Sequence, residues 1–300
     1  SIESIEEDDI ITLKDAMLEA TIILQERAEH KDDKAYYTGI ERLDVVTAGL
    51  HEEELTTIAA RPGVGKTAIA MQIALNVSGN GEKVMFASLE MSSVQLCQRI
   101  LAGYTGIDGN KIRRGDLDSE EWKKTFNVAE KFRRENFLLD KTSRNVQNVR
   151  TKIRKYKPDL VIIDYLQLLK PAGRYQSREQ EVASMTGELK RMTLEFKIPI
   201  VILSQLNRNA QGNKPSLADL RESGAIEQDS DNVFFLHEPT SKEIEKLVDD
   251  GIYPIEYIQK VKEREDRLTQ IIIGKQRNGP VGTFEMVYVP RLMRFIPGGR

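Results

Sequence analysis

With 40% hydrophobic and 30% charged side chains over 300 residues, the chain can cover one large α/β core or two smaller ones, and no apolar run approaches the ~18 residues that cross a bilayer. One cysteine, Cys97, and three scattered histidines exclude an internal disulfide, a multi-cysteine zinc site and metal-ligand spacing among the histidines, and fit the reducing cytoplasm. A net charge of −3 excludes an overall basic nucleic-acid surface, so any DNA contact has to come from local basic loops.

The chain opens Ser1-Ile2-Glu3, with neither an initiator Met nor the basic-then-apolar order of a secretory signal, as a fragment of a longer chain would. Residues 1–9 are acid-rich. Thr12-Leu13-Lys14-Asp15 is a capping-box pattern, and Leu13, Ala16, Met17, Ala20, Ile23 and Leu24 recur at helical spacing. The spacing predicts a helix over about 12–28, ended by the polar stretch His30–Lys34. This helix either packs on its own domain or docks on a neighbouring subunit, and its residues leave both open.

A short approach segment, Gly39–Leu50, leads to the apolar run Thr57–Ala59. The loop Arg61-Pro62-Gly63-Val64-Gly65-Lys66-Thr67 follows, then a helical pattern from Ala68 to Val77. Strand, glycine loop and helix in this order make a phosphate loop. The glycines let backbone N–H groups turn inward around phosphate oxygens, and the helix N-terminus adds partial positive charge. Arg61, Gly63, Val64, Gly65 and Ala68 would frame ATP, Lys66 would reach its β- and γ-phosphates, and the Thr67 hydroxyl would ligate Mg2+. Ala60 stands where the strict pattern has its first glycine. A glycine-rich turn capping a helix is the plainer alternative.

Strands are expected at Val84–Ser88, Leu160–Ile163, Pro199–Leu203 and Val233–Leu236. Helices are expected from about Ser92 to Ala102, from about Ser119 with Trp122, Phe126, Ala129 and Phe132 in step, through Val146, Val149, Ile153 and Tyr156 up to Pro158, and from Ser177 to about Phe196. The charged stretch 238–267 reads as a surface insertion. Leu268–Ile273, Phe284–Val289 and Leu292–Ile296 close the chain as β-structure. Strands alternating with helices predict an α/β fold with a mostly parallel sheet covered on both faces. The division expected is 1–37 as an acidic tail plus linker helix and 38–300 as one P-loop ATPase domain.

Asp164 follows four apolar strand residues, the arrangement that delivers a carboxylate beside a phosphate loop to hold Mg2+ through water. Capping the strand end is its other reading. Hydrolysis also needs a group that orients and polarises water. Many related ATPases place a Glu directly after this Asp; here that position is Tyr165, so the base has to come from elsewhere. Glu90, just past the strand Val84–Ser88, is the candidate, set against a surface Glu favoured by a helix dipole. Gln205 follows a strand and could bond the γ-phosphate, linking nucleotide state to the segment Leu206–Leu220. In Gly274-Lys275-Gln276-Arg277-Asn278-Gly279-Pro280, Arg277 has the fork suited to a transition-state phosphate and Lys275 adds a point charge. A solvated basic hairpin is equally consistent with those residues.

Taken together, Arg61–Thr67, Ser88-Leu89-Glu90-Met91-Ser92, Ile162-Ile163-Asp164-Tyr165-Leu166-Gln167-Leu168, Leu203-Ser204-Gln205-Leu206-Asn207-Arg208, the run Asp219–Asp229 and Lys275–Pro280 appear in order. The series resembles the C-terminal motor domain of DnaB-type replicative DNA helicases, bacterial or phage-encoded, over nearly all of Gly39–Ile296. The resemblance implies a RecA-like core in a homo-hexameric ring, ATP between subunits, and 5′-to-3′ movement on single-stranded DNA. It implies Lys66, Thr67 and Asp164 for ATP and Mg2+, Glu90 as base, Gln205 as γ-phosphate sensor, and Lys275 and Arg277 acting on the neighbour's ATP. The loop with Arg221, Glu222 and Gly224 looks like the family's DNA-backbone loop, and Arg174 to Glu181, with Arg178, resembles the other central loop. The helix at 12–28 is similar to the linker helix that docks on the adjacent subunit. The family's N-terminal helical domain has no counterpart in these residues, so primase and loader contacts are expected of a longer parent protein. A recombinase of the same core, or a non-motor nucleotide-binding assembly module, are the alternatives.

Overall fold

The computed structural model describes residues 12–28, 35–133, 136–171, 173, 175–207, 213–220 and 224–298. The chain divides into two units, Ser1–Ala35 and Tyr36–Arg300. Tyr36, the first residue of the second unit, pairs with Leu50 through two backbone hydrogen bonds, 2.8 and 2.9 Å. In the first unit, α1 (Leu13–Ala28) starts at the expected cap. The Thr12 hydroxyl donates to the Asp15 carboxylate at 2.6 Å and accepts from the Asp15 N–H at 3.2 Å. Leu13, Met17 and Leu24 of its apolar stripe are exposed.

The second unit carries a nine-stranded sheet. Its strands are β1 (Leu55–Ala60), β2 (Val84–Ser88), β3 (Phe137–Asp140), β4 (Leu160–Asp164), β5 (Ile200–Gln205), β6 (Asn232–His237), β7 (Arg267–Gln276), β8 (Gly282–Val289) and β9 (Arg294–Pro297). They lie in the order β3-β2-β4-β5-β1-β6-β7-β8-β9. The pairs from β3 to β6 are parallel, and β6-β7, β7-β8 and β8-β9 are antiparallel, which is the expected mostly parallel sheet with a β C-terminus.

Among the described residues the unit also holds the α-helices α2 (Glu41–Thr47), α3 (Lys66–Gly79), α4 (Ser93–Thr105), α5 (Gly109–Arg114), α6 (Ser119–Lys131), α7 (Val146–Tyr156), α8 (Arg178–Phe196), α9 (Gly224–Asp229), α10 (Ser241–Asp249) and α11 (Ile255–Glu263). Side chains alternate across a strand, so each central strand serves two cores. Leu160 and Ile162 face Ile69 and Ile73 of α3, while Val161 and Ile163 face Val149 and Ile153 of α7 and Met185 and Leu189 of α8. Burial on both faces is why these strands read as unbroken apolar runs.

Some elements differ from the expectation. The edge strand β3 escapes notice because it spans four residues, three of them half-buried. In α6 the spacing is helical, but Trp122 and Phe126 are exposed and stack on each other at 5.6 Å, so only part of the stripe is inward. The stretch 238–267 holds α10 and α11, closed by Leu247, Tyr253, Ile258 and Val261 on Leu268, Val287 and Val289. For function the decisive feature is register. Ala60 lies beside Gln205 and Leu236, and Ser88 beside Asp164, so the strands deliver their carboxyl ends to one edge.

Candidate nucleotide-binding site

At that edge β1 releases the loop Arg61–Thr67. Gly63 and Gly65 hold φ of +84° and +102°, which side-chain-bearing residues rarely adopt. A Cβ on Gly63 would meet open space, whereas one on Gly65 would sit 2.8 Å from the Phe295 ring. The loop therefore needs glycine at 63 for conformation and at 65 for conformation and room. Gly65 is the N-cap of α3 and offers no side-chain cap, so the first N–H groups of this helix face the cavity without an internal acceptor.

The cavity, about 570 Å3, is lined by Arg61, Gly63, Gly65, Lys66, Thr67, Ala68, Glu90 and Gln205, so the structure brings these expected residues together. Val64 is the exception: its side chain is buried in the core beside α3, leaving only its backbone to the loop. Asp164 lies beneath, fully buried, and its Oδ2 accepts from the Thr67 hydroxyl at 2.8 Å. Burial pushes the Asp164 carboxyl above its usual range, while the Thr67 hydrogen bond and the Lys66 ammonium pull it back. Burial likewise lowers Lys66, opposed by Asp164 and Glu90. The Lys66 ammonium stands 4.6 Å over the Tyr165 ring, so the residue in the place of the usual Glu seats the lysine instead.

Asp164 Oδ1 is buried with no hydrogen-bond partner among the described residues. An orphaned carboxylate oxygen next to a hydroxyl is an all-oxygen donor set suited to a hard divalent cation, so Thr67 and Asp164 fit Mg2+. Glu90 reaches the same edge through the Ser88 turn. The Ser88 hydroxyl donates to the Met91 carbonyl at 2.8 Å and accepts from its N–H at 3.3 Å, and the Leu89 N–H bonds the Asp164 carbonyl at 2.8 Å. Arg61 donates to the carbonyls of Leu206 and Asn207 at 3.4 and 3.2 Å. The loop is thus tied to the segment after Gln205, whose base is closed by the Leu206–Leu220 bridge.

Lys275 and Arg277 lie at the other edge. Gln276 pairs with Asn232, which pairs with Thr56 at the start of β1, a strand length of roughly 17 Å from the loop. Arg277 bonds Asp231 at 3.0 Å and keeps 62% of its side chain exposed. The Lys275 ammonium donates to the carbonyls of Glu227 and Ser230 at 2.6 and 2.7 Å, at the C-terminus of α9. Of the residues expected at DNA, Arg174, Arg221 and Glu222 lie outside the described residues. Gly224 opens α9. Arg178 opens α8 and donates to the Gln167 carbonyl and to Glu181, each at 2.6 Å.

Gln95 and Arg99, one helical turn apart on α4, and Tyr288 and Met293 from the far end of the chain also line the cavity, beyond the residues expected from the sequence. No motif marks them; only the β8–β9 antiparallel return brings the last two to the loop.

A replicative DNA helicase DnaB of Geobacillus stearothermophilus is 37% identical over 269 residues, 86% of this chain and 56% of that protein, so the chain spans little more than half the relative's length. A solved structure described as an ATPase domain matches with a TM-score of 0.80 at 30% identity, covering 96% of this chain and 99% of that one. A DnaB-like replicative helicase, solved in a study of its interactions with primase, matches with a TM-score of 0.78 at 31% identity, covering 97% of this chain and 68% of its own. The model of one family, the DnaB-like helicase C-terminal domain, matches residues 36–297, and the chain belongs to that family.

Proposed function

We propose that this chain is the motor of a replicative DNA helicase, in which ATP hydrolysis drives 5′-to-3′ translocation on single-stranded DNA and unwinding of the duplex ahead. The observation that carries the reading is the convergence of Lys66, Thr67, Glu90 and Gln205 on one cavity above the buried Asp164, in a chain of this family. Mg2+ held at Thr67 and Asp164 would supply Lewis-acid neutralisation of phosphate charge. The loop N–H groups and Lys66 bind the phosphates. Glu90 takes the proton of the attacking water, and Gln205 reports the γ-phosphate to the segment that Arg61 grips.

The separation of Arg277 from its own loop supports a site completed by a second copy, with Arg277 meeting the neighbour's ATP in a ring of six. Lys275 contributes to that edge while holding the α9 carbonyls that position it. Single-stranded DNA is gripped by its backbone through the segments carrying Arg174, Arg178, Arg221, Glu222 and Gly224. A parent protein would meet primase and a loader in the cytoplasm of a bacterium or of a phage's host. No helix among the described residues is long and apolar enough to cross a membrane.

The test is strand displacement with ATP and Mg2+ on a forked duplex. A 5′ single-stranded tail on the tracking strand should support displacement, and a 3′ tail should not. Pairing of homologous strands without displacement would point to a recombinase, and no displacement on either fork would overturn the helicase reading.

A further inference from the structure

The stretch between β6 and β7 has no part in the chemistry above, yet its two ends pair with each other and one of them bonds the nucleotide loop. Glu238 leaves β6 at the carboxyl edge of the sheet, and Arg267 opens β7; their side chains pair at 3.6 Å. Between them α10 and α11 close on their own apolar cluster and on β7 and β8, so the base of the hairpin is held from above. Thr240 and Glu243 form a capping box at the start of α10, and Glu243 also bonds His237 at 2.9 Å, which pins the Glu238 side to the end of β6.

Arg267 has a second partner. Its guanidinium donates to the carbonyl oxygen of Gly63 at 3.3 Å. It also stands opposite Tyr288 in the β7–β8 ladder, and Tyr288 is a wall of the nucleotide cavity. Burial raises the Tyr288 phenol, and the charges of Arg99 and Arg267 oppose that rise, so the field of Arg267 reaches the cavity wall. A loop that turns N–H groups toward phosphate turns carbonyls the other way, and those carbonyls need donors. A guanidinium on the Gly63 carbonyl fixes that peptide plane and strengthens, by polarisation, the donors of the chain it belongs to.

We infer that Arg267 is a positioning residue for ATP, clamping the Gly63 peptide from its carbonyl side, and that Glu238 restrains it by competing for the same guanidinium. This inference rests on the reading of the loop as an ATP site. It gives the α10–α11 hairpin a role: its two ends set how firmly the phosphate loop is held. A pair that merely staples the hairpin would respond alike to loss of either partner. A clamp with a competitor responds in opposite directions.

The experiment follows release of the fluorescent analogue N-methylanthraniloyl-ATP, bound with Mg2+ to the whole chain, by stopped flow. Arg267→Gln should speed release about tenfold, the loss expected for one charged hydrogen bond. Turnover at saturating ATP should change little, so the effect appears in KM and not in kcat. Arg267→Lys should recover part of the loss, and Glu238→Gln should slow release below the wild-type rate. Release from Arg267→Gln at the wild-type rate would overturn the inference, as would release from Glu238→Gln that is as fast as from Arg267→Gln. Failure of the folded wild-type chain to bind the analogue at all would overturn the ATP-site reading itself, which separates the two failures.

Discussion

Replacing Gly65 by Ala strikes the point where the last strand of the chain backs the phosphate loop. The new methyl group would sit 2.8 Å from Phe295 Cζ and 3.3 Å from the Tyr288 ring, in a backbone held at φ +102°. The positive φ costs about 1–2 kcal/mol for a residue with a Cβ. Forcing a methyl against a packed ring adds about 1–3 kcal/mol. At about 2–4 °C per kcal/mol for a unit of this size, the sum lowers Tm by about 4–20 °C. Gly63→Ala is the internal control, because its φ is +84° but its Cβ would meet open space. It should carry the conformational cost alone, about 2–8 °C. Thermal unfolding followed by circular dichroism reads both. In a Phe295→Leu background the excess cost of Gly65→Ala should shrink toward that of Gly63→Ala. Equal losses for the two glycines, or an excess that persists without the ring, would refute the packing argument.

Glu90→Gln should keep Mg-ATP binding while lowering turnover by about 10²–10⁴-fold, the range for loss of a general base; retained phosphate release would remove Glu90 from that role. Arg277→Ala should cost about 10³-fold or more in ATPase, and mixing it with Lys66→Ala should restore hydrolysis at interfaces that pair an intact loop with an intact Arg277. No rescue at any mixing ratio would argue against action on the neighbour. Asp140→Asn tests an ion pair behind β3. Burial raises the Asp140 carboxyl, but hydrogen bonds from Lys152, Ser143 and Thr142 outweigh it and hold the group below its ordinary value. A depressed carboxyl stabilises the fold above its unfolded value and loses that contribution as pH falls through the folded one. The Tm gap between wild type and Asp140→Asn should therefore be widest near neutrality, worth about 1–3 kcal/mol, and close below about pH 4. A gap independent of pH would contradict it.

The parts of the site legible in the sequence are those fixed by chain-local physics. Asp164, Gln205 and Glu90 follow apolar strands directly, and a parallel sheet delivers strand ends to one edge, so their convergence follows from order alone. Arg99 and Tyr288 were not legible, because one depends on which face α4 presents and the other on an antiparallel return of the chain. Lys275 shows the same limit from the other side. Its charge was evident, but its engagement with the α9 carbonyls depends on β6 and β7 lying side by side. The hairpin of α10 and α11 hid behind its composition, since half of each helix faces water and the apolar half pairs with strands read separately.

For this chain to be a motor, the cavity above Asp164 has to be an ATP-hydrolysing site coupled to DNA. Steady-state ATPase of the whole chain, measured with Mg2+ in the presence and absence of unstructured single-stranded DNA, tests it most directly. Stimulation by DNA that weakens as salt rises, and loss of all hydrolysis in Lys66→Ala, are the expected results. Slow hydrolysis indifferent to DNA, or activity that survives Lys66→Ala, would contradict it.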